Sequence, residues 1–220
     1  MSPKISILTA VHKRPEVFRE FLKGLEVCLD WDVDLIVVGD DQRLKQILKD
    51  NSPLPSRWVN FKNKPLGAKF NAGLQFFERD YLLVSGSDNL FSRGVFEIYE
   101  QAAKEGVHFV GFLDYYLRGF ETGITKYFPG YRNSRKGHTI GAGRLLHKNL
   151  IAALNGKLWD DNLNRALDLS MDNLLSEFEY KSKVLSCKKE GVVVLDLKTK
   201  DNIWGLDDWP GEFITEKLEI

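Results

Sequence analysis

The first 90 residues alternate between short apolar runs and amphipathic stretches, and this alternation constrains the fold more than any other feature of the sequence. Strand-like runs occupy residues 5–11, 33–42, 57–63 and 81–84. Helix-like stretches occupy residues 15–29, 43–50 and 65–80. A strand-helix alternation of this kind predicts an α/β fold with a mostly parallel central sheet and helices on both faces.

The second half of the chain is less regular. We predict helices over residues 92–106 and 167–182, a strand over 108–118, and a segment at 141–154 that turns helical after Gly-Ala-Gly. Residues 119–138 are rich in glycine, tyrosine and cations and predict a long hairpin or loop. One or two strands follow within 183–199, and residues 201–220 form a tail that predicts no clear element.

Composition excludes several classes of protein. The 220 residues are 43% hydrophobic and carry 31 basic and 31 acidic side chains, so the net charge of zero gives no overall attraction to nucleic acid or anionic membranes. Cys28 and Cys187 provide neither a disulfide framework nor zinc-ligand spacing. No run approaches 18 apolar residues, and the N-terminus lacks a signal-peptide pattern, so we expect a cytoplasmic protein without a membrane span.

Polar residues stand at the end of each of the four predicted strands. Because the carboxyl ends of parallel strands meet at one edge of a sheet, these side chains should converge where α/β proteins bind ligands. For Asp88, in the sequence YLLVSGSDN, the alternative is ordinary turn chemistry. The residues concerned are His12, Lys13, Arg14, Asp40, Asp41, Lys62, Asn63, Asp88 and Asn89.

Four segments of the first half, in order, resemble one known family. PKISILTAV, DLIVVGDD, PLGAKFNAGL and YLLVSGSDN look like the nucleotide-sugar-binding half of family 2 glycosyltransferases with the GT-A fold. GAGRLLHKNLIAALNGKLWDDNLNRALDLSMDNLL is similar to the acceptor region of the same family. The resemblance covers about residues 3–185. It implies a single GT-A-like (Rossmann-like) domain over 1–220, with a nucleotide-sugar-binding half at about 1–91 and an acceptor-binding half plus tail at about 92–220.

The function implied by the resemblance is transfer of a hexose or pentose from a nucleoside-diphosphate sugar, with a UDP-sugar favoured, to an acceptor hydroxyl. Direct displacement at the anomeric carbon would invert its configuration. The acceptor is left open between a glycan, a small molecule and, less favoured, a hydroxylated base in modified DNA. The implied donor-binding residues are His12, Arg14, Asp40, Asp41, Gly67, Lys69, Asn71, Ser87, Asp88 and Asn89.

A divalent metal, Mn²⁺ or Mg²⁺, is the cofactor that the resemblance implies, with Asp88 as its ligand. Such hard ions prefer carboxylate oxygens and neutralise a leaving diphosphate. This chain departs from the D-x-D pattern because Gly86 stands at the first acidic position. It also has no histidine after His147, so Asp196 or a residue near 202–204 is the candidate for the second ligand.

The general base that the resemblance implies is Asp168, at the second position of an E-D pair in which Leu167 replaces the glutamate. We expect Asp168 to be the N-cap of its helix, and a purely structural cap is the alternative. Its role would be to remove the proton of the acceptor hydroxyl. Asp172, one helical turn later, is the second candidate base.

The basic, aromatic segment at 119–138 has two functional interpretations. It is either a lid that excludes water from the donor or a surface for an acceptor such as a phosphate-bearing polymer. A solvated loop is the alternative. The candidate acceptor or lid residues are Arg132, Arg135, Trp159, Asp160 and Asp161.

Two other functions compete with sugar transfer. The loss of acidic residues at 86 and 167 is compatible with a module that binds a nucleotide sugar without turning it over. A nucleotidyltransferase usually has a glycine-rich loop after its first strand, and the sequence AVHKRPE at 10–16 has no glycine. A dinucleotide-binding oxidoreductase is set aside because no G-x-G-x-x-G follows the first strand.

Overall fold

The computed structural model describes residues 2–202, 205–208, 211–214 and 218, and within them the chain forms two sheets. The strands are β1 (Ile5–Ala10), β2 (Val33–Gly39), β3 (Ser56–Asn60), β4 (Tyr81–Val84), β5 (Asn89–Phe91), β6 (Phe109–Phe112), β7 (Tyr115–Gly119), β8 (Thr125–Phe128), β9 (Arg144–His147), β10 (Ser182–Leu185), β11 (Val194–Lys198) and β12 (Glu212–Ile214). The α-helices are α1 (Pro15–Gly24), α2 (Gln42–Asn51), α3 (Leu66–Leu74), α4 (Arg93–Lys104), α5 (Lys148–Ala153), α6 (Leu167–Leu175) and α7 (Cys187–Glu190).

The main sheet has the strand order β10-β6-β9-β4-β1-β2-β3. All neighbouring strands pair in parallel except β9, which runs antiparallel to both β4 and β6. The smaller sheet has the order β12-β8-β7-β11-β5 and is mixed. The prediction of an α/β fold with a mostly parallel central sheet is therefore confirmed.

Helices cover both faces of the main sheet, because its strands are apolar on both sides. Along β2, Leu35 and Val37 enter one hydrophobic cluster and Ile36 and Val38 enter another. The first cluster takes side chains from α1, α2 and α4, and the second takes them from α3, α5 and α6. Buried strands of this kind show no alternation of polar and apolar residues, and this pattern is typical of parallel sheets.

The elements of the first half match the prediction in type and order, and α1 and α3 are shorter than predicted. The helix predicted over 15–29 ends at Gly24 and continues as a 3-10 turn at Leu25–Cys28. The helix predicted over 65–80 ends at Leu74. Asp41, at the end of the second predicted strand, lies beyond β2 and is the N-cap of α2.

Two expectations for the second half are wrong. The strand expected over 108–118 is two strands, β6 and β7, which belong to different sheets. The segment expected to turn helical after Gly-Ala-Gly contains β9 before its helix begins at Lys148. In the segment 119–138, where a hairpin or a loop was expected, β8 pairs antiparallel with β7 and forms a hairpin. Strand β9 is short and buried on both faces, so its sequence carries no period that separates it from a helix.

The C-terminal tail adds a 3-10 turn at Leu206–Asp208 and the edge strand β12 to the smaller sheet. The metal-ligand candidates at 203 and 204 lie outside the described residues. Among the helices in the described ranges, none has the length and apolar character needed to cross a membrane.

Candidate functional site

A cavity of about 760 Å³ opens beyond the carboxyl end of β4. Its volume lies in the range typical of small-molecule sites. The turn after β4, the segment between β8 and β9 and the start of α6 form its polar parts. Aromatic side chains from both hydrophobic clusters, including Phe70, Tyr115 and Trp159, line the rest. The arrangement therefore offers an apolar chamber whose polar groups come from three separate segments of the chain.

Asp88 lies at one end of this cavity and is bound by two partners. Its Oδ2 accepts hydrogen bonds from Arg14 Nη1 at 2.8 Å and from Asn202 Nδ2 at 3.1 Å. Arg14 and its neighbour Lys13 both have left-handed backbone conformations, with φ of 53° and 55°. Such conformations are strained for residues other than glycine and cluster at functional sites. The polar ends of β1 and β4 thus meet, as the strand pattern predicts.

Strand β11 brings Asp196 to the same end of the cavity, where its register partner on β5 is Asn89. Oδ2 of Asp196 accepts from Lys198 Nζ at 2.7 Å, whereas Oδ1 is buried and has no hydrogen-bond partner among the described residues. Burial raises the pKa of Asp196 to about 6, and the negative charge of Asp88 adds to this against the attraction of Lys198. The sequence identified Asp196, but the buried pair with Lys198 depends on the fold.

The donor set at Asp88 and Asp196 fits a hard divalent ion. Both residues supply carboxylate oxygens, and the buried Oδ1 of Asp196 has no partner among the described residues. Among the described residues, no third histidine, cysteine, aspartate or glutamate forms a cluster of three metal ligands with Asp88 and Asp196. An ion held by these two carboxylates would take its remaining ligands from phosphate and water, as Mg²⁺ commonly does.

Gly86 fits the turn between β4 and β5 because a larger residue would collide there. A Cβ atom at Gly86 would lie 2.5 Å from Oδ1 of Asp88 and 3.0 Å from Oδ1 of Asn89. The Gly86 amide donates to Oδ1 of Asn89 at 2.6 Å, so Asn89 closes the turn. Ser87 is buried within it. Glycine at the first position of the acidic motif therefore follows from the packing of Asp88 itself.

Asp168 lines the same cavity from the first turn of α6. The N-cap of this helix is Ala166, so the prediction that Asp168 is the N-cap is wrong. Oδ2 of Asp168 accepts from the Tyr131 hydroxyl at 2.7 Å and forms an ion pair with Arg135. Burial raises the pKa of Asp168, but hydrogen bonds from Arg135 and Tyr131 outweigh burial and leave the pKa lowered.

Asp172 braces the structure beside Asp168. Its Oδ1 pairs with Arg144 at 2.8 Å, and its Oδ2 meets Nδ1 of His138 at 2.9 Å. With both oxygens engaged, Asp172 is a less suitable base than Asp168.

Arg144, which the sequence analysis missed, has a side chain with no solvent exposure. It also donates to the backbone oxygens of Thr139, Ile140 and Asp168. These hydrogen bonds connect α6 to residues 139 and 140, which directly follow the 119–138 segment. The available signal was an arginine inside the apolar run GAGRLLH.

Another predicted group lies at the ends of β1 and β2. Lys69 is buried and donates from Nζ to the backbone oxygen of Val11 at 2.5 Å. Burial lowers the pKa of Lys69 to about 8, opposed by the charge of Asp40. Burial and the charge of Lys69 lower the pKa of His12, whose side chain faces the same group. Asp41 accepts from the amide of Arg43 at 2.8 Å and so caps α2.

Two predicted donor residues on α3 pack against the predicted acceptor loop. A Cβ atom at Gly67 would lie 2.0 Å from the backbone oxygen of Asp160. Asn71 donates from Nδ2 to the backbone oxygen of Trp159 and to Oδ1 of Asp161, both at 2.7 Å. The contacts of Gly67 and Asn71 thus join α3 to the loop before α6 and position that loop.

Within that loop the three predicted residues have different surroundings. The ring of Trp159 is buried and packs 5.0 Å from that of Phe70, centre to centre, at the cavity wall. The Asp160 side chain is exposed and accepts from the amide of Asn162 at 2.9 Å. Asp161 also pairs with Lys157 at 2.6 Å. Only Trp159 of these three lines the described cavity.

Solved structures of TarS from S. aureus are among those similar to this chain in fold. A fragment of residues 1–349 matches with a TM-score of 0.63 at 15% identity, and its complex with UDP-GlcNAc matches with 0.69 at 17%. These matches cover 88% and 90% of the chain but 60% of the fragment. The longer TarS structure matches with 0.63 at 16% identity over 88% of the chain and 36% of TarS.

The structural likeness establishes a GT-A-like α/β fold for this chain. The chain spans less than two thirds of the length of each of these TarS structures. No family model and no curated protein sequence matches the chain. The fold and the geometry of the cavity therefore carry the functional argument.

Proposed function

We propose that the protein transfers a sugar from a nucleoside-diphosphate sugar to an acceptor hydroxyl, in the manner of inverting family 2 glycosyltransferases. One observation carries the proposal: a single cavity holds two separate groups of carboxylates. Asp88 and Asp196 lie at its β4 end, and Asp168 lies at the start of α6. A donor diphosphate and an acceptor hydroxyl need such groups on opposite sides of the reacting carbon.

The Asp88 end suits the donor. A TarS structure with the same fold was solved with UDP-GlcNAc, which supports a UDP-sugar here. Asp88 and Asp196 would hold a divalent ion, which when bound supplies positive charge to the leaving diphosphate. Arg14 and Lys198 are within hydrogen-bond distance of the same two carboxylates and are placed to bind phosphate oxygens as the donor enters.

The Asp168 end suits the acceptor. Tyr131 and Arg135 both bind Oδ2 of Asp168, and among the described residues no hydrogen bond reaches Oδ1. Oδ1 is therefore the atom that would take the proton of the acceptor hydroxyl. The lowered pKa keeps Asp168 ionised and ready to accept it. The hydroxyl oxygen then forms a bond to the anomeric carbon as the bond to the diphosphate breaks on the opposite face.

A nucleotide-sugar-binding module without turnover is the second candidate. The observation that favours it is the engagement of Asp168 by Arg135, because a carboxylate held by a cation is a weaker base. Release of nucleoside diphosphate from a bound donor separates the two functions. A transferase should hydrolyse the donor slowly when water replaces the acceptor, and so release nucleoside diphosphate. A binding module should leave the donor intact.

The test is calorimetric titration of UDP-, GDP- and TDP-sugars, with and without Mn²⁺, into the wild type and Asp88→Ala. We expect one nucleotide class to bind, and Asp88→Ala to abolish its binding. Asp50→Ala is the matched control because Asp50 is exposed on α2 and bonds only to Gln46 among the described residues. Asp168→Asn should bind the donor normally but turn it over about 10²- to 10⁴-fold more slowly. Absence of binding by every donor overturns the proposed function.

A further inference from the structure

Two arginines that line the cavity near Asp168 have no acidic partner among the described residues. Arg132, from the segment between β8 and β9, and Arg165, just before α6, are exposed and line the cavity. Within the described parts of the chain, neither guanidinium forms a hydrogen bond or an ion pair. Arg135, which pairs with Asp168, has a buried Nε atom that is likewise without a partner there. Donors of this kind are costly to leave unpaired when a ligand closes over them.

The acidic residues of the cavity do not account for these arginines. Asp88 pairs with Arg14, Asp196 with Lys198 and Asp168 with Arg135. Asp208, the remaining acid that lines the described cavity, is exposed and accepts from the amide of Gly205 at 2.7 Å. Positive charge is therefore in excess beside Asp168, although the whole chain has a net charge of zero.

We propose that the acceptor carries an anionic group, a phosphate or a carboxylate, which Arg132 and Arg165 bind while its hydroxyl meets Asp168. This inference rests on the proposed function, since it names the acceptor of the same site. A planar guanidinium binds either anion through two parallel hydrogen bonds, which fix orientation as well as affinity. The donor diphosphate belongs to the Asp88 end, so these two arginines serve the second substrate.

The experiment compares probes that differ by one anionic group. Glucose 6-phosphate and glucuronate are compared with glucose, and glycerol 3-phosphate and glycerophosphoglycerol with glycerol. Each is titrated by ligand-observed NMR into the protein saturated with UDP and diamagnetic Mg²⁺, so that UDP blocks the diphosphate site. We expect at least one anionic probe to bind about tenfold or more tightly than its neutral partner, as a charge-assisted hydrogen bond predicts. Comparison of the anionic probes shows whether the site prefers a phosphate monoester, a phosphodiester or a carboxylate.

The variant Arg132→Gln/Arg165→Gln should lose this preference while binding UDP as the wild type does. Lys136→Gln is the matched control, because Lys136 is exposed in the same segment but does not line the described cavity. Equal or absent binding of both members of every pair overturns the inference, as does an equal loss in Lys136→Gln. If UDP binds and the anionic preference is absent, this inference alone fails. If no nucleoside diphosphate binds, the proposed function fails with it.

Discussion

The side-chain amide of Asn202 donates a hydrogen bond of 3.1 Å to Oδ2 of Asp88, although 114 residues separate the two in the sequence. Oδ1 of the same amide accepts from Arg14 Nη1 at 2.9 Å and from the amide of Thr199 at 2.8 Å. One side chain thus joins the ends of β1 and β4 to the segment that follows β11. That segment belongs to the candidate donor site, although the family resemblance ends near residue 185.

Replacing Asn202 with alanine should loosen this end of the cavity. The change removes the acceptor of three hydrogen bonds, from Arg14 and from the amide and hydroxyl of Thr199. It also removes a donor to the mostly buried carboxylate of Asp88. Hydrogen bonds that involve charged groups contribute more than neutral ones. We expect the free energy of unfolding to fall by about 1–3 kcal/mol in urea denaturation, and UDP-sugar affinity to fall as Asp88 and Arg14 lose their positions.

Asn173→Ala is the control for this variant. Asn173 is exposed on α6, and its side chain forms no hydrogen bond with the described residues. Its replacement should change the free energy of unfolding by less than about 0.5 kcal/mol. An unchanged free energy of unfolding and unchanged donor affinity in Asn202→Ala would show that the amide is dispensable.

Asp196 should destabilise the folded protein at neutral pH. Its pKa rises from 3.8 in the unfolded chain to about 6 in the folded one. Between these values the folded state binds the extra proton, so the free energy of unfolding falls as pH rises through this window. Asp196→Asn should therefore raise the free energy of unfolding at pH 7.5, and the gain should shrink at pH 4.5. Urea denaturation at the two pH values measures both.

The same variant should bind the donor more weakly in Mn²⁺, because it removes a carboxylate from the candidate metal site. A gain in stability with a loss of binding is the signature of a residue retained for function. Asp80→Asn is the control. A hydrogen bond from Lys148 lowers the pKa of half-exposed Asp80, so this variant should lose stability at pH 7.5 where Asp196→Asn gains it. If Asp196→Asn is less stable than the wild type at pH 7.5, the ionised Asp196 carboxylate does not destabilise the folded protein as proposed.

The fold of the first half was predictable because the local pattern of each element agrees with the strand-helix alternation of the whole segment. The apolar runs of β1, β2 and β4 lie between amphipathic helices, so each strand and its crossover are visible in the sequence. Strand β9 was not predictable in the same way. Leu145 packs into one hydrophobic cluster and Leu146 into the other, and two apolar residues in a row carry no period.

The candidate site was predictable at the ends of strands and less so elsewhere. Asp88 and Asp168 were identified from motif order, and both line the cavity. The side chains that bind these two carboxylates come from distant segments: Asn202 donates to Asp88, and Tyr131 donates to Asp168. No local sequence pattern predicts contacts of this kind. Gly67 was predicted to bind the donor, and in the structure the backbone oxygen of Asp160 lies against it.

Tyr131→Phe should raise the pKa of Asp168. The change removes a hydrogen bond to the ionised carboxylate and leaves burial, which acts in the opposite direction, in place. A carboxylate with a lowered pKa stabilises the fold above its unfolded pKa, and this contribution is lost as pH falls through the folded pKa. The variant should thus lose stability at pH 7, by about 0.5–1.5 kcal/mol, and less at pH 3.

Carboxyl ¹³C NMR titration measures the pKa of Asp168 directly and needs no acceptor. In donor hydrolysis, the acid limb of the pH-rate profile should move to higher pH in the variant. Tyr180→Phe is the matched control, because Tyr180 packs against Phe109 and makes no hydrogen bond with the described residues. An Asp168 pKa that stays the same in Tyr131→Phe would contradict the assignment of Tyr131 as a positioning residue.

Gly86→Asp separates what the family pattern suggests from what the structure requires. The substitution restores the first acid of the D-x-D motif, and by charge count alone it should strengthen metal binding. Its Cβ atom, however, would lie 2.5 Å from Oδ1 of Asp88. The turn must then shift, and a third negative charge is added beside Asp88 and Asp196. We expect Mn²⁺-dependent UDP-sugar binding to weaken, with a loss of about 1–3 kcal/mol in the free energy of unfolding.

Gly86→Ala isolates the steric part of this effect and should account for most of it. Gly205→Ala controls for the substitution itself, because among the described residues a Cβ there meets only Oδ2 of Asp208, at an ordinary contact distance of 3.4 Å. Calorimetric titration with UDP-sugar and Mn²⁺ ranks the three variants against the wild type. Tighter binding by Gly86→Asp would mean that the turn opens without cost and that Asp88 can act in the usual acidic pair, so the steric account of Gly86 would have to be abandoned.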